Sequence, residues 1–224
     1  MRQFATYEEE NIHYWTNRAS GYSGVNQEEL ATDQKRVWGY TISRKIAARF
    51  PGRAPESLRI LDVGTGPGFF AIILAKAGYQ VTAVDYTEEM LCKAKENAGR
   101  YADRIRWMRM DAQKLELPDN QFDVAVSRNL TWNLENPDEA YKEWKRVLKP
   151  GGRILYFDAN WHMTGDEAYR EAIKRDEEEY RRLYGEPENT YTGDADTDEE
   201  FDKVLYFKEV LRPEWDEIHL PELG

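Results

Sequence analysis

The chain has 224 residues and a net charge of −11, an acidic balance that argues against nucleic acid or anionic lipid as a partner. Its length suits a single domain, and 41% apolar residues can form a core despite a mean hydropathy of −0.82. No segment has the ~20 apolar residues of a membrane span or the pattern of a secretory signal, and one cysteine with three histidines predicts neither disulfide nor metal cluster. We therefore expect a cytoplasmic protein that acts on a small molecule.

The first 50 residues have a mainly helical pattern. It is clearest from residue 27 to residue 50, where Trp38, Ile42, Ile46 and Phe50 recur every four residues and form one apolar stripe. Two prolines and a glycine in residues 51–55 end this pattern. Residues 1–50 are therefore predicted to be an N-terminal helical segment in front of a separate core.

Residues 51–160 alternate short apolar runs with amphipathic stretches, which is typical of βαβ units. The pattern predicts strands at 58–63, 80–84, 105–110, 122–127 and 153–157, with helices at 69–77, 88–98 and 137–148. The stretch 149–152 is predicted to be a turn, and Cys92 a buried residue of the second helix. The order predicts an α/β fold with a doubly wound, Rossmann-like, mostly parallel sheet.

The composition changes after residue 160. Residues 164–203 contain 15 acidic and 6 basic side chains, with helical periodicity from 167 to 184 and a polar loop beyond it. An acidic helix with little apolar surface predicts a mobile lid over 161–203, with a solvated helix as the alternative. Residues 204–207 could form a strand, and 212–216 resemble a helix start, so 161–224 completes the single predicted domain of residues 1–224.

A glycine-rich turn lies between the first predicted strand and the helix after it, in the sequence Asp62-Val63-Gly64-Thr65-Gly66-Pro67-Gly68-Phe69. Glycines let the backbone approach a ligand, and a helix N-terminus offers free N–H groups. Phe69 stands where a dinucleotide fingerprint needs its third glycine. Asp85 ends the second strand, 21 residues after Gly64, which is close to the ~20 typical of a ribose-binding acid. Its alternative role is a helix N-cap, although Thr87 could cap equally well.

With Asp62 in front of it, this turn resembles motif I of the class I S-adenosylmethionine-dependent methyltransferases. Segments 117–123 and 146–152 look like the corresponding parts of small-molecule members of the type 11 and ubiquinone-biosynthesis kind, and the resemblance covers residues 14–160. It implies an enzyme that transfers the methyl group of S-adenosyl-L-methionine to a small molecule by in-line displacement. A non-catalytic or regulatory protein that binds this cofactor is the alternative. An NAD-dependent oxidoreductase is disfavoured because the third glycine is missing.

The resemblance also implies where the cofactor binds: its methionine part and sugar at the glycine turn, and its adenine near the residues after strand three. The cofactor-binding residues it implies are Asp62, Gly64, Thr65, Gly66, Gly68, Asp85, Tyr86, Met90, Asp111, Ala112, Ser127, Tyr14 and Tyr22. Asp111 could instead be a turn residue. The aromatic residues near the N-terminus could instead pack that segment onto the core.

Residues after strands four and five are expected on the acceptor side, because ligands bind beyond the carboxyl ends of parallel strands. Methyl transfer from a sulfonium depends on alignment and desolvation, so no catalytic residue is obligatory. His162 is a candidate base, since histidine titrates near neutral pH, and a partly exposed loop residue is its alternative. Arg128 could pair with an acidic substrate, with Asp123 or with a cofactor carboxylate. The further candidates on this side are Ser127, Asn129, Trp132, Asp158, Asn160 and Trp161.

The resembled family ends with two more strands, for which too few apolar runs follow residue 160. We therefore expect five strands, with the family's C-terminal strands missing and strand five at an open edge. An open edge tends to pair with other chains unless it is covered. Segment 200–223, or a second copy in a homodimer, is expected to cover it.

Overall fold

The computed structural model describes residues 4–160, 167–186, 205–208 and 210–223. Within these residues the helices and strands are, in chain order, α1 (Tyr7–Ala31), α2 (Gln34–Arg49), β1 (Arg59–Val63), α3 (Phe69–Lys76), β2 (Gln80–Asp85), α4 (Glu88–Ala98), β3 (Ile105–Arg109), β4 (Phe122–Arg128), α5 (Pro137–Val147), β5 (Leu148–Phe157), α6 (Glu167–Tyr184) and α7 (Glu214–Leu223). The strands form one sheet in the order β3-β2-β1-β4-β5, and each neighbouring pair is parallel. The predicted α/β fold with a parallel sheet is therefore confirmed.

Two apolar cores lie on opposite faces of the sheet. Successive residues of a strand point to opposite faces, so Ile60 packs in the core under α2 and α3, while Leu61 packs in the core under α5. Helix α3 is buried along its whole length except for Lys76, because it lies between the sheet and α2. Cys92 of α4 is exposed, so its prediction as a buried residue is wrong. None of the helices in the described ranges is both long and apolar enough to cross a bilayer.

The helix predicted from residue 27 to residue 50 is two helices. Thr32 has extended backbone angles (φ −92°, ψ −176°) and ends α1, and Asp33 is the N-cap of α2. The apolar stripe is nevertheless real, since Ile42 and Ile46 are buried in the core and Trp38 packs against it. The stripe therefore belongs to α2. Helix α1 precedes it in the chain and does not share the stripe.

Strand β5 begins at Leu148, five residues earlier than predicted, and includes the stretch 149–152 that was predicted to be a turn. Its pairing with β4 shifts register between Phe122 and Val124, so this stretch is an irregularity within the strand. Gly152 permits it, because a Cβ atom there would lie 2.9 Å from the Lys149 carbonyl oxygen. The glycines therefore let the backbone bulge rather than end the pairing.

The described C-terminal residues pack on the sheet face beside β5. Tyr206–Lys208 form a 3-10 helix, so the strand suggested for 204–207 is wrong for its described part; Val204 lies outside the described residues. Phe207 and Trp215 are instead buried in the core that contains Tyr141 of α5. Helix α7 begins near the predicted position, and none of the described residues after β5 joins the sheet as a strand.

The acidic insertion is described only in part. Helix α6 confirms the helical periodicity from 167 to 184, and its side chains Ile173, Tyr180 and Leu183 are 41%, 49% and 56% exposed. Most of the proposed lid at 161–203 lies outside the described residues. The lid therefore stays a prediction.

Candidate cofactor site and active site

A cleft lies at the carboxyl ends of β1, β2, β3 and β4, under helix α1. Twelve residues predicted from the sequence line it: Asp62, Gly64, Thr65, Gly66, Asp85, Tyr86, Met90, Asp111, Ala112, Tyr22, Arg128 and Asn129. Three further predicted residues, Gly68, Ser127 and Tyr14, are not among the lining residues. Trp161 and His162 lie outside the described residues. The cleft therefore occupies the place where open α/β sheets bind their ligands.

The glycine turn forms the floor of the cleft at the end of β1. Gly64 and Gly66 have φ angles of +65° and +52°, in the left-handed region that favours glycine. A Cβ atom on Gly64 would lie 2.7 Å from the side chain of Leu130, whereas one on Gly68 would lie 3.0 Å from the Cβ of Ala94 in α4. Gly64 therefore permits a close approach inside the cleft. Gly68 instead permits close packing of α3 against α4.

Asp62 fixes the shape of this turn from inside the protein. Its Oδ2 accepts hydrogen bonds from Thr65 Oγ1 at 2.6 Å and from the Ala71 N–H at 2.9 Å. Burial raises the pKa of Asp62 to about 7, against the lowering effect of these two hydrogen bonds. Asp62 therefore ties the turn to the first residues of α3.

Asp85 joins the turn to the start of α4. Its Oδ2 accepts from the Gly66 N–H at 2.8 Å, and its Oδ1 accepts from the Thr87 N–H at 3.0 Å. Thr87 is the N-cap of α4 but makes no side-chain capping hydrogen bond, so the expectation that it would cap and leave Asp85 free is wrong. Each carboxylate oxygen has a further lone pair that could accept from a hydroxyl. Burial raises the pKa of Asp85 to about 6.

The residues after β3 form the far wall of the cleft. Asp111 Oδ1 accepts from the Gln113 N–H at 2.8 Å, which is the turn role considered as its alternative. The Ala112 carbonyl accepts from Trp144 Nε1 at 2.9 Å, which anchors this wall to α5. Both Asp111 and Ala112 also line the cleft. The turn role therefore does not remove Asp111 from the site.

Aromatic side chains of α1 form the roof. Trp15 and Tyr22 line the cleft and make an edge contact, with their ring centroids 5.7 Å apart. Tyr14 is buried with Trp132 and Leu205 instead, which matches the alternative that it packs the N-terminal segment onto the core. Burial raises the pKa of Tyr22, against the lowering effect of the hydrogen bond from Asn129. The part of the roof that Trp15 and Tyr22 form is therefore aromatic and neutral.

The residues that end β4 point in different directions. Ser127 is buried and its Oγ donates to the Val63 carbonyl at 2.9 Å, so it braces β1 from inside. Asn129 has a φ of +53°, and its Nδ2 donates to the Tyr22 hydroxyl at 3.3 Å. Asn129 therefore connects the end of the sheet with the roof.

Arg128 does not pair with Asp123, which is the one partner within this chain considered from the sequence. Its Nη1 and Nη2 donate to the two carboxylate oxygens of Glu29, at 3.1 and 2.5 Å. Asp123 pairs with Arg53 and Lys149 instead. The hypothesis of an ion pair between Arg128 and Asp123 is therefore wrong. The guanidinium is held by a carboxylate 99 residues away in sequence.

Asp158 and Asn160, which follow β5, bond within the protein and are not among the described residues that line the cleft. Asp158 Oδ2 accepts from Thr131 N at 2.7 Å and from Trp132 N at 3.2 Å. The Asn160 side chain exchanges two 2.9 Å hydrogen bonds with the backbone of Arg212. The expectation that Asp158 and Asn160 face a reacting group is therefore wrong. Asp158 holds the segment after β4 in place, and Asn160 holds the chain at Arg212.

Several lining residues were missed from the sequence. Three of them, Tyr7, Asn11 and Asn26, lie on one face of α1 together with Trp15 and the predicted Tyr22, at steps of four or seven residues. This spacing is a helical signal, but polar residues interrupt it, so a search for apolar stripes does not detect it. Further lining residues that were missed are Glu8, Thr87, Gln113, Leu130, Asn133, Leu134 and Glu135.

Sequence comparisons match the core of the chain to methyltransferases. Residues 61–156 match a family described as a methyltransferase domain, Methyltransf_11. The ubiquinone/menaquinone biosynthesis C-methyltransferase of Roseobacter denitrificans is 38% identical over 144 residues, which are 62% of this chain and 55% of that protein. The demethylmenaquinone methyltransferase of Staphylococcus aureus is 30% identical over 158 residues, 67% of this chain and 61% of that protein. The chain thus spans little more than half the length of these relatives.

Solved structures match the fold. A structure from Methanococcus maripaludis, described as an S-adenosyl-L-methionine-dependent methyltransferase, has a TM-score of 0.54 at 24% identity and covers 88% of this chain and 83% of its own. The PH0226 protein of Pyrococcus horikoshii has a TM-score of 0.52 at 26% identity and covers 67% of this chain and 62% of its own. The glycine turn, which lines the cleft without side chains at Gly64 and Gly66, and the Asp85 carboxylate beside it fit a nucleoside cofactor. Residues 61–156 are therefore similar in sequence to the methyltransferase domain of the Methyltransf_11 family.

Proposed function

We propose that this chain transfers a methyl group from S-adenosyl-L-methionine to a small-molecule acceptor. The observation that carries the proposal is the cleft itself, in which the glycine turn and the Asp85 carboxylate meet an aromatic roof at the carboxyl ends of the strands. We also propose a cytoplasmic protein, as the sequence predicts. A homodimer and the absence of a nucleic-acid partner likewise stay predictions.

The cofactor would be held along the edge of the sheet. Its ribose hydroxyls would donate to the carboxylate of Asp85, and its methionine part would lie over the turn at Gly64. Its adenine would lie against Asp111 and Ala112. When bound, the cofactor supplies an electrophilic methyl group on a sulfonium with a good leaving group.

The acceptor would bind under the aromatic roof. Trp15 and Tyr22 line this part of the cleft. There they would exclude water, and their aromatic faces would attract a cationic sulfonium. Among the described lining residues there is no histidine, lysine or cysteine, so alignment and desolvation would supply the rate. Two relatives are named for ubiquinone and menaquinone biosynthesis, and aromatic walls suit a flat acceptor of that chemical class.

Calorimetry tests cofactor binding. We expect S-adenosylhomocysteine to bind and NAD not to bind. Asp85→Ala should weaken S-adenosylhomocysteine by ~1–3 kcal/mol, because ribose hydroxyls lose their partner. Asp103→Ala removes an exposed carboxylate and is the matched control. Unchanged affinity in Asp85→Ala would remove the ribose assignment.

Turnover tests the transfer. The protein is incubated with S-adenosyl-L-methionine and a panel of small aromatic acceptors, and S-adenosylhomocysteine is measured. We expect product with at least one acceptor. Cofactor binding without turnover on any acceptor would favour the alternative of a non-catalytic, cofactor-binding protein.

A further inference from the structure

The charged groups that line the cleft are unevenly distributed. Five of the described lining residues are acidic, and a single one, Arg128, is basic. The acidic ones are Glu8, Asp62, Asp85, Asp111 and Glu135. An anionic group that enters the cleft is therefore repelled along most of the wall and finds one cation at the end of β4.

Arg128 is held in a fixed position. Its guanidinium carbon lies 5.1 Å from the ring centroids of Trp38 and Phe69, and its two terminal nitrogens bind Glu29. The side chain of Glu29 is 7% exposed and that of Arg128 is 22% exposed. Asn26 Nδ2 also donates to Glu29 at 3.3 Å. The carboxylate is thus behind the guanidinium, which faces the cleft and is preorganised there.

The guanidinium has donors to spare. Arginine carries five N–H groups in a planar fork, and the contacts with Glu29 use two of its nitrogens. Such a group suits a carboxylate better than a lysine ammonium does, because it can donate in parallel from a fixed plane. Arg128 can therefore bind a second carboxylate without releasing Glu29.

The sheet topology determines which carboxylate can reach it. Asp85 ends β2 and Arg128 ends β4, and β1 with its glycine turn lies between them. Two strand spacings amount to about 10 Å. An extended homocysteine arm can bridge this distance when the ribose is at Asp85. The amino-acid end of the cofactor would then lie beside Arg128.

We propose that Arg128 binds the α-carboxylate of the cofactor's methionine part, and that Glu29 is the positioning residue that holds the guanidinium against the aromatic rings. This proposal rests on the proposed function, since it needs the ribose at Asp85. It assigns Arg128 to cofactor recognition rather than to an acidic acceptor.

Paired ligands test the proposal without any turnover. S-adenosylhomocysteine carries the carboxylate, and its decarboxylated analogue differs only by that group. Calorimetry with Arg128→Met should show S-adenosylhomocysteine weakened about 10- to 100-fold and the analogue changed less than about twofold. Arg36→Met removes an arginine that is 74% exposed on α2 and should leave both affinities unchanged.

The double variant Glu29→Gln with Arg128→Met removes both charges, so no carboxylate is left buried without a partner if the single variant fails to fold. It should show the same selective loss. Equal weakening of both ligands, or no weakening, in a folded variant would overturn the proposal. Wild-type protein that binds neither ligand would overturn the proposed function, and this proposal with it. If Arg128→Met selectively impaired an acidic acceptor while S-adenosylhomocysteine bound normally, Arg128 would belong to the acceptor site.

Discussion

Replacing Asp85 by asparagine should remove a pH-dependent loss of stability from the ligand-free protein while it weakens the candidate cofactor site. Burial raises the pKa of Asp85 from 3.8 to about 6, so the folded protein holds this proton more tightly than the unfolded chain does. The favourable contribution of the protonated carboxyl is fully present below pH 3.8 and is lost as the pH rises through about 6. Asparagine does not titrate and avoids this loss.

The shift gives the magnitude. The pKa of the Asp85 carboxyl is 3.8 in the unfolded chain and about 6 in the folded protein. This difference corresponds to about 3 kcal/mol of folding free energy once the carboxyl is ionised in both states. At pH 5 roughly half of this cost has already developed. The stability gap, which is the free energy of unfolding of Asp85→Asn relative to the wild type, should therefore rise by about 1 kcal/mol between pH 5 and pH 7.5.

Urea unfolding at several pH values between 5 and 7.5 measures this gap directly, with the unfolding slopes compared to confirm that the same transition is followed. Asp103→Asn, which changes an exposed carboxylate, should stay parallel to the wild type across the range. A gap that is constant with pH, or a wild type that gains stability over Asp85→Asn as the pH rises, would show that the carboxylate is not destabilised by burial.

Three further results are expected. S-adenosylhomocysteine affinity should rise as the pH increases through about 6, because ionised Asp85 accepts from hydroxyls more strongly; calorimetry at pH 5 to 8 should find this rise flattened in Asp85→Asn. Gly64→Ala should destabilise the fold by ~1–3 kcal/mol, because its Cβ would meet Leu130 and its φ is +65°; Leu130→Ala in the same chain should recover part of the loss, and strict additivity would contradict the clash. Burial raises the pKa of Asp123, but a backbone N–H and two cationic side chains lower it by a larger amount. The pKa of Asp123 is therefore below its ordinary value. Asp123→Asn should therefore cost ~2 kcal/mol at pH 7, a loss that disappears as acid titrates the wild-type carboxylate through its lowered pKa; an equal cost at every pH would refute this.

The sequence alone determined the parallel sheet and predicted many of the residues that line the candidate cofactor site. Buried strands appear as local apolar runs, and the glycines of 64–68 answer a local steric need, so both are visible without the fold. Asp62 and Asp85 are likewise fixed by their places at the strand ends. In each case the physical constraint acts between residues that are close in sequence.

The tertiary structure decided which side chains meet. Arg128 finds Glu29 across 99 residues, and Ser127, one position earlier on a strand whose side chains alternate, turns inward to Val63. The break at Thr32 separates α1 from α2, so that α1 can present its mixed aromatic and amide face to the cleft. An apolar periodicity does not predict this face of α1, because the face lines the cleft and not a core. The residues opposite it in the cleft come together only when the strands are assembled.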